Sequence, residues 1–256
     1  MLLALTRAVP PSIARCELTH VARDPIDHAR AAAQHAGYER ALEECGCRIR
    51  HLPDAPDLPD SVFVEDAAVV FDEIAVIARP GAASRRAEID SVAAALGEYR
   101  TLARIDAPAT LDGGDVLVID RRVYVGRTRR TNAEGARQLE RAIAPFGYRV
   151  VIADVRGCLH LKSAVTAVSD HAVVINGAWI DPGVFDSYER IAVDASEPYA
   201  ANVVRVGDRV VAAAAFPRTN ERLAACGARL AVVEVSEIAK AEGALTCCSL
   251  ILRPTN

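Results

Sequence analysis

Apolar residues along this chain gather in short runs joined in pairs by tight polar turns. Each pair is followed by a longer stretch and one more apolar run. Residues 61–80 (SVFVEDAAVVF, DE, IAVIARP) predict one hairpin, 111–127 a second, 159–177 a third and 201–215 a fourth. A fifth pairs CCSLILR at 247–253 with LLALTR at 2–7, from opposite ends of the sequence. Helices are predicted over 26–45, 86–97, 132–146 and 217–226. In the second of these, Ile89, Val92, Ala93 and Leu96 repeat at helical spacing. The third follows Thr131 as N-cap, with Glu134 three residues on in a capping-box pattern, and stops at Gly147. Strands RIRHL, YRTLARI, YRVVIADV, RIAVDA and RLAVVEV close the units. Five units in one order predict a single domain, 1–256, arranged as a ring with pseudo-fivefold symmetry. A flat α/β domain with mixed sheets is the alternative. Loops 8–25 and 53–60, which contain Pro and Asp, are placed to cover a site.

The ring makes a geometric statement, because equivalent positions in the units should converge on its axis. The polar residues at the heads of the hairpins are Glu65 and Asp66, Asp112, His160, Asn202 and Cys247. From Asp66 the steps are 46, 48, 42 and 45 residues, so the set recurs at nearly one period. A polar group at the head of an apolar strand costs stability unless it is paired or used. One such residue is noise, but a periodic set predicts a site at the centre.

Composition narrows what that site can be. With 256 residues, 51% of them hydrophobic, the chain can bury a large core, and a net charge of −4 without basic clusters argues against a nucleic-acid partner. No apolar run reaches the roughly 18 residues of a membrane helix, and the N-terminus lacks a signal-peptide pattern, so a cytoplasmic protein is expected. The seven Cys show no paired spacing and are expected as thiols. Cys45 and Cys47, flanking the Gly46 helix stop, read as packing residues.

Cys247, His160 and a carboxylate are the components of thiol catalysis. A thiol is mostly protonated at neutral pH and needs a nearby cation to ionise. His160 can protonate a leaving amine and later take a proton from water, and Asp112 can orient it and favour the imidazolium. Cys247, His160, Asp66 and Glu65 are also possible zinc ligands. A structural zinc site usually has several closely spaced Cys, however, and the chain has no CxxC. No metal and no cofactor are expected.

The segments PDSVFVEDAAV (59–69), RPGAASRR (79–86), TLDGGDVL (110–117), GRTRRTNAEGA (126–136), LHLK (159–162) and LTCCS (245–249) resemble, in order, those of the dimethylarginine dimethylaminohydrolase family. The resemblance implies the five-bladed α/β propeller of the guanidino-group-modifying superfamily, in agreement with the ring. It implies hydrolysis of asymmetric dimethylarginine or monomethylarginine to citrulline and an amine. Carried over by motif, Cys247 is the nucleophile, His160 the acid/base and Asp112 its partner. Asp60 and Asp66, with Glu65 beside them, would grip the guanidinium, and Arg85 and Arg130 the substrate carboxylate. Leu18 would sit on a lid loop, and the backbone near Ala241 would meet the α-amino group. Arginine deiminase, amidinotransferase and a non-catalytic arginine-binding protein are the competing readings. The expected partner is a small methylated arginine, with no nucleic acid and no membrane, and the protein a monomer or homodimer.

Overall fold

The computed structural model describes residues 1–254. Its strands form five three-stranded sheets of one topology. In each, a first strand pairs antiparallel with a second, and the second pairs parallel with a third reached by a crossover. The sets are β3 (Ala68–Val70), β4 (Ile74–Ile77) and β5 (Thr101–Arg104); β6 (Val116–Ile119), β7 (Arg122–Arg127) and β8 (Arg149–Asp154); β9 (Val165–Ala167), β10 (Ala172–Ile175) and β11 (Glu189–Ala192); and β12 (Val204–Val206), β13 (Arg209–Ala213) and β14 (Arg229–Val233). The fifth closes the ring: β15 (Leu250–Leu252) pairs antiparallel with β1 (Leu2–Thr6), which pairs parallel with β2 (Cys47–His51). The first strands stand side by side around the axis, β15 against β3, β6 against β9 and β9 against β12. The fold is the five-bladed pseudo-symmetric α/β propeller.

Strand periodicity explains why the ring holds. On β4, Ala75 and Ile77 pack into one core while Ile74 and Val76 pack into the next. On β7, Val123 and Val125 face one core and Tyr124 the other. The same division holds for Val173 and Val174 on β10, and for Val210 and Val211 on β13. The middle strand of every blade is therefore apolar on both faces, which is why these strands read as continuous hydrophobic runs. Each core is shared by two blades, so no blade can bury its apolar surface alone.

Four crossovers contain the expected helices: α1 (His28–Glu44), α2 (Ile89–Leu96), α3 (Ala133–Ile143) and α5 (Pro217–Ala225). The crossover from β10 to β11 makes do with a single 3-10 turn, Pro182–Phe185. The N-cap of α3 is Asn132, not Thr131: its side chain accepts the Gly135 N–H at 2.8 Å. The Thr131 hydroxyl accepts the Asp112 N–H instead, so it supports the site rather than the helix. Cys47 is buried in a core and Cys45 half-buried, as packing residues.

The hairpin heads differ from expectation in a way that shapes the site. Residues 64–67, 113–115, 161–164 (α4, Leu161–Ala164) and 246–248 are not strand but single helical turns. Each turn precedes its first strand on the axial side. Polar side chains there escape strand alternation and can converge on the axis.

Candidate active site

Asp112 and His160 are the N-cap residues of the turns 113–115 and 161–164, Asp66 lies in the turn 64–67, and Cys247 is the middle residue of 246–248. Asp60, Asp66, Arg85, Arg130, His160, Ala241 and Cys247 line one cavity, although they come from distant segments. His160 Nε2 lies 3.1 Å from Asp112 Oδ2, and its Nδ1 lies 3.9 Å from Asp66 Oδ1. Asp112 is fully buried behind the imidazole. It is fixed there by the Gly81 N–H, which donates to Oδ1 at 2.8 Å. Gly114 lets these groups meet. A Cβ at that position would come within 2.6 Å of His160 Nδ1 and 2.9 Å of Asp66 Oδ1.

The electrostatics follow from this packing. Burial alone would push His160 down, but Asp66, Asp115 and Asp112 outweigh it and raise the imidazole to about 9. At neutral pH His160 is therefore an imidazolium. Burial, with the carboxylates of Asp66 and Glu65, pushes the Cys247 thiol up to about 12. The Cys247 thiol thus rests protonated, and its ionisation needs an added positive charge. Asp66 is held below the ordinary carboxylate range, because His160 and Arg85 outweigh the cost of its burial.

Arg85 and Asp66 are paired to each other. Arg85 Nη1 donates to Asp66 Oδ2 at 2.5 Å, while Nη2 meets Glu88 Oε2 at 2.9 Å and the Phe63 carbonyl at 3.0 Å. Arg130 is less committed, its Nη2 donating to Thr19 Oγ1 at 3.3 Å. Glu65 departs from the expected set. It is buried away from the cavity, where it accepts Lys162 Nζ at 2.5 Å and the Thr246 hydroxyl at 2.7 Å. Leu18 is half-buried against a core between Glu17 and Thr19, on the loop over the cavity, and is not one of its walls.

A family model described as "N,N dimethylarginine dimethylhydrolase, eukaryotic" matches residues 20–196. The N(G),N(G)-dimethylarginine dimethylaminohydrolase of Streptomyces coelicolor is 44% identical over 98% of this chain and 96% of its own length. The chain belongs to the dimethylarginine dimethylaminohydrolase family. The Pseudomonas aeruginosa member is 36% identical over 88% of this chain and 89% of its own. Its Cys-to-Ser mutant complexed with citrulline superposes with a TM-score of 0.92, at 33% identity, covering 98% of each chain. The N-terminal domain of ArgZ, an arginine dihydrolase, has a TM-score of 0.90 at 19% identity, covering 99% of this chain and 98% of its own, and shares the fold.

Several residues of this dimethylargininase site were not singled out from sequence. Asp115 accepts the Leu161 N–H at 3.0 Å and the Thr128 hydroxyl at 2.6 Å, and so sets the turn that begins at His160. The second Asp of LDGGD was the available signal. Glu17 and Glu242 line the cavity mouth, and no period marks either of them. Asp66, Asp112 and His160 bring one ligand atom each within 4.8 Å of one another, but these atoms are already committed to each other and to Arg85, Gly81 and Gly114.

Proposed function

We propose that this protein hydrolyses asymmetric dimethylarginine or monomethylarginine to citrulline plus dimethylamine or methylamine, through a covalent adduct on Cys247. The observation that carries this reading is His160, clamped by Asp112 as an imidazolium, sharing a cavity with Cys247 and the carboxylates of Asp60 and Asp66. A guanidinium is a planar cation that carboxylates match by charge-assisted hydrogen bonds. Bound against Asp60 and Asp66, it supplies the positive charge that the Cys247 thiolate lacks. The thiol proton passes to solvent as the substrate cation binds, and the Sγ thiolate then attacks the central guanidinium carbon, forming a C–S bond. The C–N bond to the methylated amine breaks as His160 gives that nitrogen a proton. Neutral His160 next takes a proton from water attacking the same carbon. The C–S bond breaks with its electron pair returning to Sγ, the adduct hydroxyl gives up its proton to restore the thiol as the ureido carbonyl forms, and citrulline leaves. Arg130 faces the substrate carboxylate with Arg85 held behind it by Asp66 and Glu88, the backbone near Ala241 faces the α-amino group, and Leu18 sits on the loop above. Glu65 serves from behind the turn of Cys247.

The whole ring acts as one catalytic domain, without metal or cofactor. Among the described residues no helix is long and apolar enough to cross a membrane. We read the protein as a cytoplasmic monomer or homodimer. The cavity encloses only about 20 Å³, so a ligand the size of arginine enters only when the loop carrying Glu17 and Leu18 lifts. The deciding experiment is citrulline formation from arginine, monomethylarginine and dimethylarginine, compared side by side. Turnover of arginine alone would turn the reading toward a deiminase, and binding without turnover toward a sensor.

A further inference from the structure

Asn202 shares the period of Asp66, Asp112, His160 and Cys247, yet it does not line the catalytic cavity. It is 5% exposed, and all its amide hydrogen-bonding is spent on the two neighbouring turns. Its Oδ1 accepts the Thr246 N–H at 3.0 Å. Its Nδ2 donates to Thr246 Oγ1 at 3.0 Å and to the Lys162 carbonyl at 3.0 Å. Thr246 immediately precedes the nucleophile, and Lys162 lies two residues after His160. The Thr246 hydroxyl goes on to donate to Glu65 Oε2 at 2.7 Å, whose other oxygen takes Lys162 Nζ at 2.5 Å. Asn202, Thr246, Glu65 and Lys162 thus form a closed hydrogen-bonded belt. It ties together the turns that bear Cys247, His160 and Asp66.

We propose that Asn202 is a positioning residue for the reaction, clamping Thr246 from both its N–H and its hydroxyl so that the short turn aims Cys247 at the guanidinium carbon. The chemistry of the pocket admits an amide and little else. Thr246 Oγ1 gives its proton to Glu65, so the group facing it must donate; the Thr246 N–H needs an acceptor on the same side chain. Aspartate offers no donor to Oγ1 or to the Lys162 carbonyl. Alanine leaves the Thr246 N–H and the Lys162 carbonyl without partners. A turn of three residues has few internal bonds to keep its direction. Displacing a reacting atom by about 1 Å costs on the order of 100-fold in rate.

This inference rests on the dimethylargininase reading, and the test keeps the two apart. Asn202→Ala, Thr246→Val and Thr246→Ser are compared with wild type in citrulline formation, citrulline affinity by calorimetry, thermal unfolding, and alkylation of Cys247 by iodoacetamide across pH. Asn202→Ala and Thr246→Val should each lower kcat by about 10- to 100-fold. Citrulline affinity should stay within about threefold of wild type, and the pH profile of alkylation should shift or flatten. Thr246→Ser keeps both groups that Asn202 holds and should stay near wild type. Should Asn202→Ala fail to fold, the Thr246 pair carries the same comparison. A folded Asn202→Ala with wild-type kcat and alkylation profile overturns the proposal. So does a parallel loss of kcat, citrulline affinity and melting temperature, which marks a merely structural residue. A wild type that forms no citrulline defeats the parent reading instead, and the alkylation profiles still decide on Asn202.

Discussion

Arg85 Nη1 stands 2.5 Å from Asp66 Oδ2, and both side chains are sealed from solvent. The motif reading puts these two residues at opposite ends of the substrate, one on the carboxylate and one on the guanidinium. Their pairing makes them one electrostatic unit that also includes Glu88. On motif alone Arg85→Ala would be a KM variant. The pairing changes the expectation: it leaves Asp66 and Glu88 buried without their cation, which costs about 3–5 kcal/mol of stability. It also adds uncompensated negative charge beside Cys247. Arg85→Ala should therefore lower kcat, raise KM and lower the melting temperature. A variant with wild-type kcat and unfolding would show that the pair does not act this way.

Arg130→Ala is the cleaner probe of carboxylate recognition. On the proposed reading its contact with the carboxylate would be made equally in ground and transition states, so KM should rise by about 10- to 150-fold with kcat nearly unchanged. Agmatine, which lacks the carboxylate, should be a poor substrate of wild type and lose almost nothing further in Arg130→Ala. A further large loss with agmatine would remove Arg130 from this role.

The two adjacent thiols should part company. Cys247 lines the cavity, whereas Cys248 is buried in the core beside β1 and donates to the Ala244 carbonyl at 3.4 Å. The separation comes from the helical turn 246–248 rather than from strand alternation. Cys247→Ser should abolish citrulline formation and leave the fold intact. Cys248→Ser should keep most activity and lose roughly 1 kcal/mol of stability, since a hydroxyl replaces a sulfur in an apolar site. Reversed activities would reverse the assignment.

Much of this was legible beforehand, for physical reasons. On β4, β7, β10 and β13 successive apolar side chains enter two different cores, each shared with a neighbouring blade, which is why the repeat points to a ring ahead of a flat mixed sheet. The convergence of Asp66, His160 and Cys247 follows from that symmetry. The helical turns at the hairpin heads were not legible, because SVFVED and LHLK carry the same apolar pattern as strands. Nor was the inward turn of Glu65, since Glu65 and Asp66 are adjacent and only the turn decides which faces the cavity. The Arg85–Asp66 pair brings together residues 19 apart across the β3–β4 hairpin, which no local pattern encodes.

Protonation gives opposite signs for the two groups proposed to carry the chemistry, His160 and Cys247. His160, raised to about 9, is the charged acid at neutral pH, so kcat should fall as pH rises through about 9. Its folded value lies above the unfolded value of about 6.5. The associated stability is therefore complete below about 6.5 and is lost as pH climbs through about 9. The Cys247 thiol, pushed to about 12, should be alkylated by iodoacetamide at a rate that keeps rising about tenfold per pH unit past pH 9 in free enzyme. A plateau near pH 8 would mean the thiol ionises without the substrate cation.

The loop over the cavity is held by a small number of bonds that converge on Glu242. Its carboxylate accepts the Thr19 N–H at 2.6 Å and the His20 N–H at 2.9 Å. Glu242 itself adopts φ +57°, a left-handed backbone that points this side chain toward the loop at some cost in strain. The Glu17 N–H adds a bond to Asp60 at 3.2 Å, and Ser84 Oγ donates to Glu17 Oε1 at 2.6 Å. A lifting of this loop to admit substrate would break these bonds, and its closure would re-form them. Glu242→Ala removes the two amide bonds together and relieves the backbone little, since alanine has no better access to positive φ. Exchange of the Thr19 and His20 amides should then accelerate by about 5- to 100-fold, in line with the roughly 1–3 kcal/mol of such contacts. If opening limits turnover, kcat rises; if closure completes the site, KM rises by a similar factor and kcat falls. Unchanged protection of both amides in hydrogen exchange would mean that Glu242 does not latch the loop in solution.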